Sequence, residues 1–168
     1  MEKTLLKKKH TKKTNMVSEG DIPTLNISEH FYSIQGEGHS TGVPAYFIRL
    51  KGCNLMCGGK DGHLMKSGKA TWWCDTEYVW RKGQKTVFDD VIKSWEDENI
   101  LDWILTGRVH IIWTGGEPTL SKHQKDIVSC IEYATKKYDN KIHGYDRPFY
   151  HEIETNGDFI LYKVHEKL

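Results

Sequence analysis

Apolar residues recur along the chain in three short β-prone runs that are separated by two helical patterns. The runs cover residues 45–50, 109–113 and 149–154. Between them, apolar side chains repeat every three or four positions within residues 86–97 and 121–138, which predicts two amphipathic helices. The alternation of strand and helix is the pattern of βαβ units on a parallel sheet, so the sequence predicts an α/β fold.

Two other segments lack this pattern. Six of the first thirteen residues are lysine, and we expect residues 1–20 to form a flexible basic tail before a single domain over residues 21–168. Such a run could contact RNA or an acidic partner, although a solvated terminus is the simpler interpretation. Residues 58–71 are rich in glycine and lysine, which predicts a loop.

Composition limits the classes of protein to which the chain could belong. Its 168 residues carry a formal net charge of +1, which gives no electrostatic reason to expect a nucleic-acid partner. No apolar run reaches the length of a membrane span, and the first residues lack the apolar stretch of a secretion signal. Three of the four cysteines lie in one short segment, which favours a metal or cluster site over a disulfide framework. We therefore expect a cytoplasmic protein without a membrane partner.

Residues that could bind a ligand follow the carboxyl ends of all three predicted strands. Cys53 follows the first strand, residues 115–117 follow the second, and residues 155–157 follow the third. In parallel α/β folds, ligands bind at that edge of the sheet. The sequence therefore predicts a ligand site there.

The cysteines are the strongest single signal. Three residues separate Cys53 from Cys57, and Cys74 follows after sixteen more. Thiolates bind both iron–sulfur clusters and zinc, so the spacing fits a cubane with one open iron, a zinc site completed by His63, or free thiols. The spacing alone leaves these three interpretations open. Cys130 lies within the second predicted helix near its apolar face, and we expect it to be a buried small hydrophobe.

Five motifs occur together in one order over roughly residues 26–157. They are FYSIQGEG at 31–38, RLKGCNLMC at 49–57, WCDT at 73–76, TGGEP at 114–118 and ETNG at 154–157. In this combination they resemble the radical S-adenosylmethionine enzymes of the 7-carboxy-7-deazaguanine synthase family, with residues 58–71 as an insertion between the second and third cysteines.

The resemblance implies a fold and an activity. The fold would be a partial (β/α) barrel of the radical S-adenosylmethionine type with parallel strands, and C-terminally shortened, since the chain stops eleven residues after Gly157. The reaction would convert 6-carboxy-5,6,7,8-tetrahydropterin to 7-carboxy-7-deazaguanine with loss of ammonia, by way of a 5′-deoxyadenosyl radical, in the biosynthesis of queuosine-type bases. A reductant such as flavodoxin or ferredoxin is implied as a partner, and a homodimer is one option for assembly.

The resemblance also implies cofactors and the residues that bind them. A [4Fe–4S] cluster would bind Cys53, Cys57 and Cys74, and Mg²⁺ would bind Thr76. The implied S-adenosylmethionine contacts are Trp73, Cys74, Asp75, Gly115, Gly116, Glu117, Glu154, Thr155 and Asn156. The implied pterin contacts are Ile34, Gln35, Gly36, Glu37, Arg49 and Thr114.

Two of these side chains suit their implied roles on chemical grounds. The guanidinium of Arg49 can bind the substrate carboxylate in a two-pronged geometry. The carboxylate of Glu117 offers an acceptor for the ammonium of S-adenosylmethionine.

Two alternative functions remain at this point. One is an activase that makes a glycyl radical on another protein, which also uses three cysteines, although the QGEG stretch at 35–38 argues against it. The other is a non-catalytic zinc- or cluster-binding module left after C-terminal loss. A brown protein with about four irons per chain would indicate an enzyme cluster, whereas a colourless protein with one zinc would indicate the module.

Overall fold

The computed structural model of the chain describes residues 22–145 and 148–158. The predicted basic tail at residues 1–20 lies outside these ranges. In chain order the elements are β1 (Thr24–Ile34), β2 (Pro44–Leu50), α1 (His63–Lys66), α2 (Glu77–Trp80), β3 (Gln84–Val87), α3 (Phe88–Asp97), α4 (Leu101–Leu105), β4 (His110–Gly115), α5 (Ser121–Ile142) and β5 (His151–Ile153). None of the described helices is long and apolar enough to cross a bilayer.

The five strands form one sheet in the order β3-β1-β2-β4-β5. Strands β2, β4 and β5 run parallel to one another, as predicted. The expectation of parallel strands is wrong for β1, which pairs antiparallel with both of its neighbours, β2 and β3. The reason is the connection between β1 and β2, since residues 35–43 are too few for the crossover that parallel neighbours need. The fold is therefore α/β with a mixed sheet.

The two faces of the sheet differ in how they are covered. One face packs against α3, α4 and α5, and Tyr46, Ile48 and Trp113 are fully buried in the large core there. Strand residues alternate between faces, and the opposite face carries a small cluster that contains Phe47 and Ile112. We call this second side the open face.

The predicted helices correspond to α3 and α5. Phe88, Val91, Ile92 and Trp95 are buried along α3, which confirms the periodic pattern at residues 86–97. Helix α5 begins at the predicted residue 121 and continues to Ile142, four residues beyond the predicted end.

The segment at residues 58–71 is more ordered than the predicted loop. It contains a 3₁₀ turn at Lys60–Gly62 that leads directly into α1. Gly62 has a φ of 69°, and a Cβ there would lie 1.9 Å from Cε3 of Trp73. A glycine is therefore required at this position for the insertion to fold back on Trp73.

Candidate functional site

The segments that follow β2, β4 and β5 lie side by side at one edge of the sheet. The amide of Gly116 donates to the carbonyl of Leu50 at 2.9 Å, and the amide of Glu117 donates to the carbonyl of Gly52 at 2.8 Å. The side chain of Asn156 donates to Oδ1 of Asn54 at 3.1 Å. These contacts join the three segments into one rim, in agreement with the position predicted from the strand ends.

The paired glycines after β4 are required by contacts with the backbone after β2. A Cβ on Gly116 would lie 1.6 Å from the carbonyl oxygen of Gly52. Gly115 has a φ of 111°, and a Cβ there would lie 2.2 Å from the amide nitrogen of Leu50. Any larger residue would push the two segments apart, so both glycines hold the GGEP loop against the cysteine segment.

The three cysteines of this segment lie near one another. The amide of Cys74 donates to the carbonyl of Cys57 at 3.1 Å. Burial raises the pKa of the Cys53 thiol, and the nearby Glu117, Cys57 and Cys74 raise that pKa further. The amide of Leu55 donates to the Cys53 sulfur at 3.4 Å. All three thiols are partly exposed and unpaired by disulfides, so they remain accessible to a metal group.

Cys74 has two polar neighbours that bear on its chemistry. The indole Nε1 of the buried Trp80 donates to the Cys74 sulfur at 3.3 Å. The hydroxyl of Thr76 lies 3.6 Å from the same sulfur. Hydrogen bonds to cysteine sulfurs are among the features by which proteins tune iron–sulfur clusters. The contact of Trp80 with Cys74 was not predicted from the sequence.

The donor set fits a cluster better than a single zinc ion. Within residues 22–145 and 148–158, no three His, Cys, Asp or Glu side chains are arranged to hold one metal ion. His63, which would have completed a zinc site, is exposed, and its Nδ1 lies 3.1 Å from the carbonyl of Lys60. A cubane instead binds each cysteine at a different iron, so three neighbouring thiols suit it.

A cavity of about 400 Å³ opens beside Cys74. Trp73 and Asp75, both implied contacts of S-adenosylmethionine, line this cavity together with Tyr78 and Arg81. Its volume falls within the range of small-molecule sites.

Glu117 is completely buried, and both of its carboxylate oxygens accept hydrogen bonds from the protein. Oε1 accepts from the amide of Thr119 at 2.8 Å, from its hydroxyl at 2.5 Å and from the hydroxyl of Thr155 at 2.7 Å. Oε2 accepts from the amide of Asn156 at 2.8 Å. The carboxylate therefore links the loop after β4 to the loop after β5.

The QGEG stretch is also linked to the loop after β5. The buried Gln35 donates from Nε2 to Oε1 of Glu154 at 3.0 Å, and its Oε1 accepts the amide of Glu37 at 3.1 Å. Ile34, at the end of β1, is 64% exposed. Gly36 has no atom within 4 Å of its hypothetical Cβ, so the backbone there is open to a ligand.

Arg49 and Thr114 are register partners on β2 and β4. Nε of Arg49 donates to Oε1 of Glu29 at 3.0 Å. Neither Nη atom of Arg49 makes a hydrogen bond within the part of the chain that is described. The two terminal nitrogens therefore remain available for a carboxylate.

Comparison with known proteins points to one family. No protein-family model matches the chain. The 7-carboxy-7-deazaguanine synthases of Halobacterium salinarum, Haemophilus influenzae and Neisseria meningitidis are 33%, 36% and 38% identical to it over 82%, 80% and 72% of its length. These matches cover 41%, 46% and 45% of the relatives, so the chain spans less than half of their length. The crystal structure of QueE from Escherichia coli matches with a TM-score of 0.52 and 26% identity, over 80% of this chain and 53% of that chain.

Proposed function

Since the chain is a relative of the 7-carboxy-7-deazaguanine synthases over about four fifths of its length, we propose that it shares their activity. The reaction would convert 6-carboxy-5,6,7,8-tetrahydropterin to 7-carboxy-7-deazaguanine with loss of ammonia, as a step toward queuosine-type bases. The single observation that supports this most is the rim, where three neighbouring cysteines meet the GGEP loop and the loop after β5. We place the reaction in the cytoplasm.

The open face of the sheet would be part of the interior of a radical S-adenosylmethionine barrel. Support comes from the match to QueE and from helices α3, α4 and α5, which pack against the opposite face. Arg49 and Thr114 lie side by side in this interior, where a substrate above the rim could contact them. A homodimer is one option for the assembly.

Cys53, Cys57 and Cys74 would hold a [4Fe–4S] cluster, which supplies the electron that cleaves S-adenosylmethionine when a reductant such as flavodoxin or ferredoxin provides it. The amide of Leu55 and the indole of Trp80 would donate hydrogen bonds to the sulfurs of Cys53 and Cys74, two of the cluster ligands. Trp73 and Asp75 would bind S-adenosylmethionine from the cavity beside Cys74.

Other residues would bind and orient the pterin. The two Nη groups of Arg49 would hold its carboxylate, since a guanidinium matches that group in two-pronged geometry. The exposed Ile34 and the open backbone at Gly36 would contact the pterin ring. Thr76 would offer a hydroxyl to Mg²⁺, a hard cation that takes oxygen ligands.

An anaerobic assay tests the proposal. The chain would be reconstituted with iron and sulfide and then incubated with reductant, S-adenosylmethionine, Mg²⁺ and the carboxy-tetrahydropterin. Mass spectrometry should detect 7-carboxy-7-deazaguanine with the native chain and none with Cys53→Ala. Cleavage of S-adenosylmethionine without this product would contradict the synthase and favour another radical reaction. A colourless, zinc-loaded protein would favour the non-catalytic module.

A further inference from the structure

We propose that Glu117 is a positioning residue and not a ligand of S-adenosylmethionine, and that it acts together with Thr119. We use the name clasp for the carboxylate of Glu117 and the groups that donate hydrogen bonds to it, which belong to Thr119, Thr155 and Asn156. The existence of the clasp follows from contacts within the chain, whereas its consequence for S-adenosylmethionine rests on the proposed function.

The hydrogen bonds of the clasp explain how the carboxylate of Glu117 can be buried. A carboxylate leaves water without a large penalty only when hydrogen bonds replace its hydration. Glu117 is 0% exposed, and four donors from three residues are directed at its two oxygens. Thr119, which supplies two of them, is also 0% exposed. Because the carboxylate is fully buried, an ammonium group could reach it only if the residues that cover it moved.

The clasp fastens the loop after β5 to the loop after β4. Strand β5 has only three residues, and among the described strands it pairs with β4 alone. Thr155 and Asn156 follow this strand and are bound to a residue 38 and 39 positions earlier in the chain. The clasp therefore sets the position of the loop relative to β4.

The same loop reaches the cysteine segment. The side chain of Asn156 donates to Asn54, the neighbour of Cys53, and Asn54 donates in turn to Asp158 at 2.6 Å. Breaking the hydrogen bonds of the clasp would release Asn156 and make the loop after β5, one of the three segments of the rim, more mobile. Glu117 would affect the cofactor through the position of this loop.

Amide hydrogen exchange of the chain without cofactors, followed by NMR, tests the clasp itself. Thr119→Val removes one hydroxyl donor at similar volume, and Thr119→Ser restores it. We expect the Asn156 amide to exchange about tenfold faster in Thr119→Val and in Glu117→Gln than in the native chain, because its acceptor is less firmly held. Thr119→Ser should stay near the native rate. Amides in α5 report whether each variant is folded, and an unchanged Asn156 rate in folded Glu117→Gln would overturn the clasp.

Ligand affinities of the cluster-loaded chain distinguish a positioning role of Glu117 from direct binding of the ammonium. The ligands are S-adenosylmethionine and its analogue that lacks the α-amino group. If Glu117 acts through the clasp, Glu117→Gln should weaken both ligands by the same factor, and Thr119→Val should weaken both as well. A loss confined to S-adenosylmethionine would show that Glu117 binds the ammonium and would overturn the proposal. If the native chain binds neither ligand, the proposed function fails, while hydrogen exchange still decides the clasp.

Discussion

The indole nitrogen of Trp80 lies 3.3 Å from the sulfur of Cys74, six residues earlier in the chain. The carbonyl of Trp80 also accepts the amide of Gly52, the residue before Cys53. Trp80 is therefore bonded both to one proposed cluster ligand and to the residue beside another. A hydrogen bond of this kind stabilises negative charge on the sulfur, and that charge increases when a cluster is reduced.

Replacement of Trp80 by phenylalanine should lower the midpoint potential of the cluster. The variant keeps an aromatic ring in the buried site but loses the N–H donor, so the reduced state loses stabilisation. A redox titration followed by electron paramagnetic resonance measures the shift. Trp72→Phe is the matched control, because Trp72 lies in the same segment and is 61% exposed. Equal potentials in native chain and Trp80→Phe would remove Trp80 from this role.

Replacement of Arg49 by lysine should weaken use of the pterin while sparing cleavage of S-adenosylmethionine without substrate. Lysine keeps the charge but cannot make a two-pronged contact, so kcat/KM for the pterin should fall about tenfold or more. Product and cleavage assays on the same samples separate the two activities. Glu29→Gln is the control, since it removes the ion-pair partner of Arg49 and leaves the guanidinium in place. Equal loss of both activities in Arg49→Lys would contradict the substrate role.

The stability of the fold should decrease between pH 7 and pH 5 because of His151. Burial lowers the pKa of His151 from 6.5 to about 3, and Trp113 donates to its Nδ1 at 3.1 Å. Below about pH 6.5 this histidine binds a proton in the unfolded chain but stays neutral in the folded chain. The free energy of unfolding therefore falls by about 2 kcal/mol at pH 5 because of this group.

Urea unfolding of the native chain and His151→Asn at both pH values measures this contribution. Asparagine keeps an acceptor for Trp113 but has no titrating ring, so the variant should lose about 2 kcal/mol less on acidification. The same pH dependence in both proteins would show that other groups cause it.

The local sequence pattern was sufficient to predict the strands and helices that have continuous or periodic apolar residues. Strands β2 and β4 and helices α3 and α5 follow directly from such patterns. Strand β1 was not recognised, because only Leu25 and Ile27 at its beginning alternate into the core, and its later aromatics Phe31 and Tyr32 are both exposed. Helix α4, with five residues, is too short for a helical period to be visible.

The site was predictable in its position but not in its bonding. The strand ends indicated the rim, because parallel strands bring their carboxyl ends to one edge. The clasp joins Glu117 to residues 38 and 39 positions away, and no local pattern reports such a contact. For the same reason the sequence did not reveal that the glycines of the GGEP loop make room for the backbone at Leu50 and Gly52.

Replacement of the four cysteines should divide them into two groups. Cys53→Ala, Cys57→Ala and Cys74→Ala should each lose most of the bound iron after anaerobic reconstitution. Cys130→Ala should keep it, because Cys130 is fully buried in the core and its burial raises the pKa of the thiol. That variant should instead lose about 1 kcal/mol of stability. Native iron content in Cys57→Ala would show that Cys57 is not a ligand.

Electron paramagnetic resonance of the reduced, anaerobically reconstituted chain, before and after addition of S-adenosylmethionine, tests the central claim most directly. The account predicts about four irons per chain and a paramagnetic signal whose shape changes when S-adenosylmethionine binds at the iron that lacks a cysteine. A chain without a paramagnetic iron centre, or a signal that S-adenosylmethionine leaves unchanged, would contradict it.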